Sequence, residues 1–299
     1  MTRSDTQKKT FRDTRLIDGT AVKARILSEV QEYTLAHPKI GRLVSLSIGD
    51  SNEVAVYVRN QARGAAAAGL PFEQKFLPAQ IRQEECKALI LEMNDDPSVL
   101  GIILQRPVPD HINVRSLQSA IHPLKDIEGM NPASIGNIVY SDVALAPCTA
   151  AASVELIKET GLNLKGLEVV MVGHSEIVGK PAAMMLMAEG ATVTVCHHMT
   201  RSVAMHSRRA DVVVVAVGKP HLIGADMIKP GAAVIDIGIN QIDTPEGVKI
   251  VGDVDTDAVK EIAGWITPVP GGVGPVTVAI LMRNAVVAHK RQIAAGWLD

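Results

Sequence analysis

The run Val169-Val170-Met171-Val172-Gly173-His174-Ser175-Glu176-Ile177-Val178-Gly179-Lys180-Pro181 constrains the fold more than any other stretch of the chain. Four consecutive apolar residues read as a strand covered on both faces, the environment of a parallel sheet. A glycine turn follows, and Pro181 suits a first helical turn, where its missing N–H costs nothing. A helix beginning there is expected to present free N–H groups and a positive dipole end to an anion. The Gly-x5-Gly spacing departs from the common dinucleotide pattern Gly-x-Gly-x-x-Gly. Alone it therefore also fits an ordinary strand-to-helix turn with no ligand.

The rest of the chain supplies the context. Helical periodicity over residues 19–37, 54–69 and 81–94 alternates with strand patterns over 43–48, 72–77 and 99–104, as in a parallel sheet with helical crossovers. After a turn-rich stretch over 123–147 the alternation resumes: a helix over 150–160, strands over 168–172, 192–196, 212–217 and 232–237, and helices over 182–189 and 203–209. The length of 299 residues fits about two domains of roughly 150 residues each. We expect an α/β protein of two domains, each a mostly parallel sheet with flanking helices, the second Rossmann-like. The first domain spans 1–147 plus a returning helix, 276–299, and the second spans 148–275. Ligand groups belong at the carboxyl ends of such strands, which marks Asp50-Ser51-Asn52, Gln105, Gly218-Lys219-Pro220 and Gly238-Ile239-Asn240.

Composition narrows the classes. A net charge of −2 gives no global pull toward nucleic acid, and the longest apolar runs, such as 212–217, fall far short of the roughly 20 residues that span a bilayer. Residues 1–13 are polar and lack the apolar core of a secretory signal, so they read as a frayed arm. Cys86, Cys148 and Cys196 are widely spaced and odd in number, which fits reduced thiols in a cytoplasmic protein better than disulfides or zinc.

In Thr267-Pro268-Val269-Pro270-Gly271-Gly272-Val273-Gly274-Pro275-Val276-Thr277, six of eleven residues are glycine or proline, and the stretch runs into an apolar helix. Glycines admit close backbone approach and prolines stiffen it, so this reads as a ligand-facing loop. With this loop, the Gly-x-Ser-x-x-Val-Gly-x-Pro turn of 173–181, Val217-Gly218-Lys219-Pro220, Asp236-Ile237-Gly238-Ile239-Asn240, Gly252-Asp253-Val254 and Pro147-Cys148-Thr149, the chain resembles the methylenetetrahydrofolate dehydrogenase/cyclohydrolases over about 16–281. The resemblance implies a folate-binding first domain that includes the last helix, a dinucleotide-binding second domain, an active site in the cleft between them, and a homodimer formed through the cofactor domain.

The resemblance also assigns residues. Tyr57 stands where the family's tyrosine lies against the folate, and Gln105 at its hydrogen-bonding glutamine. Gln61, four residues after Tyr57, stands at the catalytic lysine. Val54 replaces a serine, Glu128 the pterin-recognising aspartate of Lys-Asp-Val-Asp-Gly, and Ser134 an asparagine. The site expected is thus Tyr57, Gln61, Gln105 and Glu128, with Pro270, Gly271 and Gly272 on the substrate. Gly173, His174, Ser175, Ile177, Val178, Gly179, His198, Arg201, Val217, Gly218, Ile239 and Thr277 are expected on the cofactor.

Oxidising the methylene bridge of 5,10-methylenetetrahydrofolate removes a hydride and no proton, so positioning suffices. Hydrolysing the methenyl product needs proton transfers that a lysine supports and an amide does not. The expected activity is therefore the dehydrogenase, with the cyclohydrolase lost or weak. Two alternatives stay open: a catalytically silent or altered-substrate folate- or nucleotide-binding paralogue, and a fully bifunctional enzyme. No acidic residue ends the strand 192–196, and His174, His198 and Arg201 can clamp a 2′-phosphate. This favours NADP, with NAD possible. No metal site is expected, because adjacent histidines lack an evident third ligand.

Overall fold

A computed structural model describes residues 14–245 and 247–298; the amino-terminal arm read from the sequence lies outside the described residues. The first half runs β1 (Arg15–Leu16), α1 (Gly19–Ala36), β2 (Arg42–Ile48), α2 (Asn52–Ala67), β3 (Phe72–Leu77), α3 (Gln83–Asp95), β4 (Val99–Leu104), α4 (Val114–Ala120) and α5 (Pro132–Val139). It continues with α6 (Cys148–Glu159), β5 (Glu168–Val172), α7 (Gly179–Ala188), β6 (Thr192–Cys196), α8 (Val203–Ser207), β7 (Val212–Val215) and β8 (Ala233–Asp236). The chain closes with β9 (Asn240–Thr244), β10 (Gly247–Val251), α9 (Thr256–Val259), β11 (Trp265–Ile266) and α10 (Val273–Ala294).

Two parallel sheets carry the fold. One has the order β3-β2-β4, the other β1-β11-β8-β7-β5-β6, and β9 with β10 forms a separate antiparallel hairpin. The strands β4, β7 and β8 are buried along their whole length, which is why β4 and β7 are continuous apolar runs rather than alternating ones and β8 is apolar up to its final Asp236. Apolar clusters form on both sides of the larger sheet, and one of them extends to α1, α6 and α10.

The structure corrects several readings. The strand expected over 212–217 ends at Val215, and the helix expected from residue 276 begins at Val273 and runs to Ala294. The turn-rich stretch holds α5, whose start is hidden because Asn131 and Pro132 look like turn residues but act as N-cap and first-turn proline. Asn240, read as part of a turn, opens β9, and β1 joins the larger sheet by pairing with β11. The last helix does pack back on the first half. Asn284 Nδ2 donates to Ile127 O (2.9 Å) and Ala146 O (3.2 Å), and Gln292 Nε2 donates to Leu100 O (2.7 Å) and Leu124 O (2.9 Å).

Candidate active site

The carboxyl ends of β2 and β4 hold a small cluster of amides. Gln105 follows β4, and its backbone N–H donates to Leu46 O (2.9 Å), which fixes the residue beside β2. Its side-chain Nε2 donates to Gln61 Oε1 (2.6 Å) and to Ser45 Oγ (3.0 Å). Gln61 is buried, whereas Tyr57, one turn earlier on α2, leaves about half its surface exposed (52%). The expected face of α2 therefore has a wet aromatic at one end and a desolvated amide at the other. Ser45 was missed in the sequence. Its signal was a buried polar position in the strand Arg42–Ile48; Ser47 shares that signal, but its buried Oγ has no hydrogen-bond partner among the described residues.

Glu128 reaches the same strand end. Leu104 N–H donates to its Oε2 (2.8 Å), placing the carboxyl one residue from Gln105. Loss of water pushes its pKa up to about 7, against the pull of that hydrogen bond and of Arg106, with nearby Asp126 adding a smaller push. Asp126 is a structural anchor: its carboxylate accepts from Met130 N–H (3.1 Å), Asn131 N–H (2.7 Å) and Ser134 Oγ (2.7 Å). Ser134, the substitute for asparagine, thereby secures the loop that carries Glu128. Val54 is buried in α2, and α2 is capped by Ser51, whose Oγ accepts from Val54 N–H (3.4 Å).

The cofactor turn explains its own glycine spacing. Gly173 has φ +115°, and a Cβ there would lie 2.2 Å from Ala216 O; a Cβ on Gly179 would lie 2.1 Å from Gly173 O. Both positions exclude side chains because the turn folds onto itself and onto the end of β7. One expectation needs correction. The N–H groups of Val178 and Gly179 are not free, since both donate to Ser175 Oγ (3.2 and 3.3 Å). Ser175 thus closes the turn that leads into α7.

Two acids of the Asp236–Asn240 and Gly252–Val254 motifs hold the neighbouring turn. Asp253 accepts from Val217 N–H (2.7 Å), Gly218 N–H (3.0 Å), Lys219 N–H (2.8 Å) and Asn240 Nδ2 (2.9 Å). Asp236 in turn accepts from the N–H groups of Gly238 (2.9 Å), Asp253 (3.1 Å) and Val254 (2.9 Å), and burial raises its pKa to about 6. For Asp236 the available signal was an acidic residue ending a buried strand; Asp253 follows the mostly exposed β10 and had no such signal. Ile239 is exposed beside this turn (58%).

His174 leaves β5, and His197 and His198 leave β6, so the three rings meet; His174 stacks on His197 with centroids 4.6 Å apart. The expectation that no third candidate ligand lies near the histidine pair is corrected: His174 joins His197 and His198, with one ring nitrogen of each within 4.8 Å of the others. Loss of water holds the His174 pKa below its usual range, with His197, Lys180 and His198 adding to the effect. Arg201 is exposed on the same loop. Thr277 Oγ1 donates to Val273 O (3.1 Å) within α10, and Pro270, Gly271 and Gly272 lie in the loop just before that helix. Arg115 on α4 pairs with Glu176 in the cofactor turn (2.6 Å), linking the two halves across exposed surface.

Two family models match the chain on either side of residue 147. Residues 17–128 match the model of the tetrahydrofolate dehydrogenase/cyclohydrolase catalytic domain, and residues 147–293 match that of the tetrahydrofolate dehydrogenase/cyclohydrolase NAD(P)-binding domain. The chain belongs to the tetrahydrofolate dehydrogenase/cyclohydrolase family. Within this family it is 80% identical to the bifunctional protein FolD 3 of Roseobacter denitrificans over 96% of this chain and 99% of that one. Its fold is similar to that of the bifunctional FolD methylenetetrahydrofolate dehydrogenase/cyclohydrolase of Campylobacter jejuni, with TM-score 0.89 and 37% identity over 94% of this chain and 100% of that one. The Trypanosoma brucei methylenetetrahydrofolate dehydrogenase-cyclohydrolase, solved with NADP and an inhibitor, is similar at TM-score 0.87 and 37% identity, covering 94% of this chain and 98% of that one.

Proposed function

We propose that this chain is a 5,10-methylenetetrahydrofolate dehydrogenase that uses NADP. One observation supports the reading: the turn after β5, whose positions 173 and 179 leave no room for a Cβ, lies at the carboxyl ends of one parallel sheet, and the Gln105–Gln61–Ser45 cluster with Glu128 beside it lies at those of the other. The turn's position after β5 suits a dinucleotide, with Gly173, Ser175, Ile177, Val178 and Gly179 assigned to the cofactor. His174, His198 and Arg201 stand at its rim for a 2′-phosphate; Val217, Gly218, Ile239 and Thr277 complete that side. NADP, when bound, supplies the hydride acceptor.

The chain's own residues position the folate. Tyr57 offers an exposed ring for stacking, Glu128 a carboxyl for the pterin edge, Gln105 and Gln61 amides near the reacting carbon, and Pro270 to Gly272 a close backbone wall. These groups orient a substrate that loses a hydride and no proton. In this reading residues 148–275 form the cofactor unit. The chain acts in the cytoplasm as a homodimer, to which the exposed edge strand β6, with Val195 at 41%, offers an apolar border. Among the described residues no helix is long and apolar enough to cross a membrane.

Hydrolysis of the methenyl product is the open half. Gln61 supports a slow cyclohydrolase, because an amide does not exchange protons in the neutral range. A second reading, full bifunctionality, is favoured by the 80% identity to a protein called bifunctional, and the comparisons support it better than they support loss. One assay separates the two. The chain is incubated with methylenetetrahydrofolate and NADP or NAD, and methenyl absorbance is followed. Accumulation with decay at the buffer rate supports a monofunctional enzyme, decay faster than buffer establishes the bifunctional one, and no product with either cofactor removes the dehydrogenase reading.

A further inference from the structure

β5 and β6 are neighbouring parallel strands with Val172 opposite Cys196, so the residues leaving their carboxyl ends emerge side by side. Gly173 N–H donates to Cys196 O (2.8 Å), which fixes the junction. His174 leaves one strand and His197 with His198 the other. His198 lies 6.1 Å from His174 and 5.9 Å from His197 between ring centroids, and one ring nitrogen of each residue lies within 4.8 Å of the others. Imidazole suits late first-row divalent ions, and three such donors leave a fourth position open to water. We propose that His174, His197 and His198 form a binding site for a divalent transition metal of the zinc and nickel class, at the rim of the cofactor turn.

The geometry needs modest closure. Metal–nitrogen bonds of about 2.0–2.1 Å in a tetrahedral set bring the nitrogens to about 3.3 Å from each other. His174 and His198 are exposed and can swing by that amount, while His197 is partly buried and provides the fixed member. Met199 N–H donates to His197 Nδ1 (3.1 Å). A metal on Nδ1 replaces that contact, and a metal on Nε2 moves the remaining ring proton to Nδ1 and repels the same N–H. Either route costs one backbone hydrogen bond at an exposed residue, where water takes the N–H.

The test is calorimetric titration of the reduced, chelator-treated chain with zinc or nickel chloride, without cofactor. One saturable event per chain is expected, weakened by about tenfold or more in His174→Ala, His198→Ala and His197→Asn. The last variant can keep Met199 N–H bonded through its side-chain oxygen. His111→Ala, an exposed histidine bonded to Ile81 O, should leave the event unchanged. Cobalt substitution should give visible d–d bands with no thiolate charge-transfer band. No saturable event, an event that survives the three substitutions, or a thiolate band would overturn the proposal. His174 and His198 are shared with the cofactor reading, but no cofactor is present in the titration, so its failure leaves that reading standing.

Discussion

Gln61 and Glu128 decide what the substrate side can do, and each yields a prediction from its own surroundings. A lysine at position 61 would meet Gln105, whose amide can turn to offer its oxygen, while Ser45 then donates to the same oxygen; the cluster stays satisfied. Burial at this position lowers a lysine's pKa toward the neutral range. Gln61→Lys should therefore raise methenyl hydrolysis by about tenfold or more and leave dehydrogenase turnover within about threefold, read from the decay and growth of methenyl absorbance. An unchanged hydrolysis rate would mean that Gln61 is not the limiting residue. Glu128 is shifted from its ordinary 4.5 up to about 7. The folded state then holds its proton longer than the unfolded state does, so this residue's contribution to stability falls as pH rises between those values. Glu128→Gln removes the titration and keeps an acceptor for Leu104 N–H. Its urea midpoint relative to the parent should accordingly rise between about pH 5 and about pH 8, and equal differences at both would contradict the shift.

At the scale of elements, the turns after β5, β7 and β8 work as one rim because acids and glycines pin them. Asp253 accepts from three backbone N–H groups and one side-chain amide. Asp253→Asn aims an NH2 group at some of those donors, at a cost of about 1–3 kcal/mol. The KM for the dinucleotide should rise by about tenfold while that for the folate stays level, since the amide cluster lies on the other sheet. Equal changes in both constants would point to general loosening of the fold instead. Strands were the most legible elements here: β3, β4, β5 and β6 match the sequence reading residue for residue, and in β4 and β5 burial leaves a continuous apolar run. Elements without a local signature were not legible. β1 and β11 contain two residues each and exist only through pairing with a neighbour, and α5 hides behind Pro132.

For the molecule as a whole, α10 is the element that ties the end of the chain to the substrate side. Asn284 bridges Ile127 O and Ala146 O, and Ile127 immediately precedes Glu128. Asn284→Ala leaves two buried carbonyls without this donor and should cost about 1–3 kcal/mol by chemical denaturation. It should also raise the folate KM more than the dinucleotide KM, because the Glu128 loop loses a support; a pure stability loss with both constants unchanged would show that the loop holds without it. The parallel-strand architecture, the glycine turn and the family follow from residue order alone, since they rest on local apolar runs and on glycines whose positions leave no room for a Cβ. Only the tertiary structure decided that Ser45 completes the Gln61–Gln105 cluster, that Ser175 occupies the helix N–H groups expected to be free, and that His174 joins His197 and His198. Those contacts join residues on separate strands, turns and helices, and their distances are set by sheet register and packing, which spacing along a single chain does not encode.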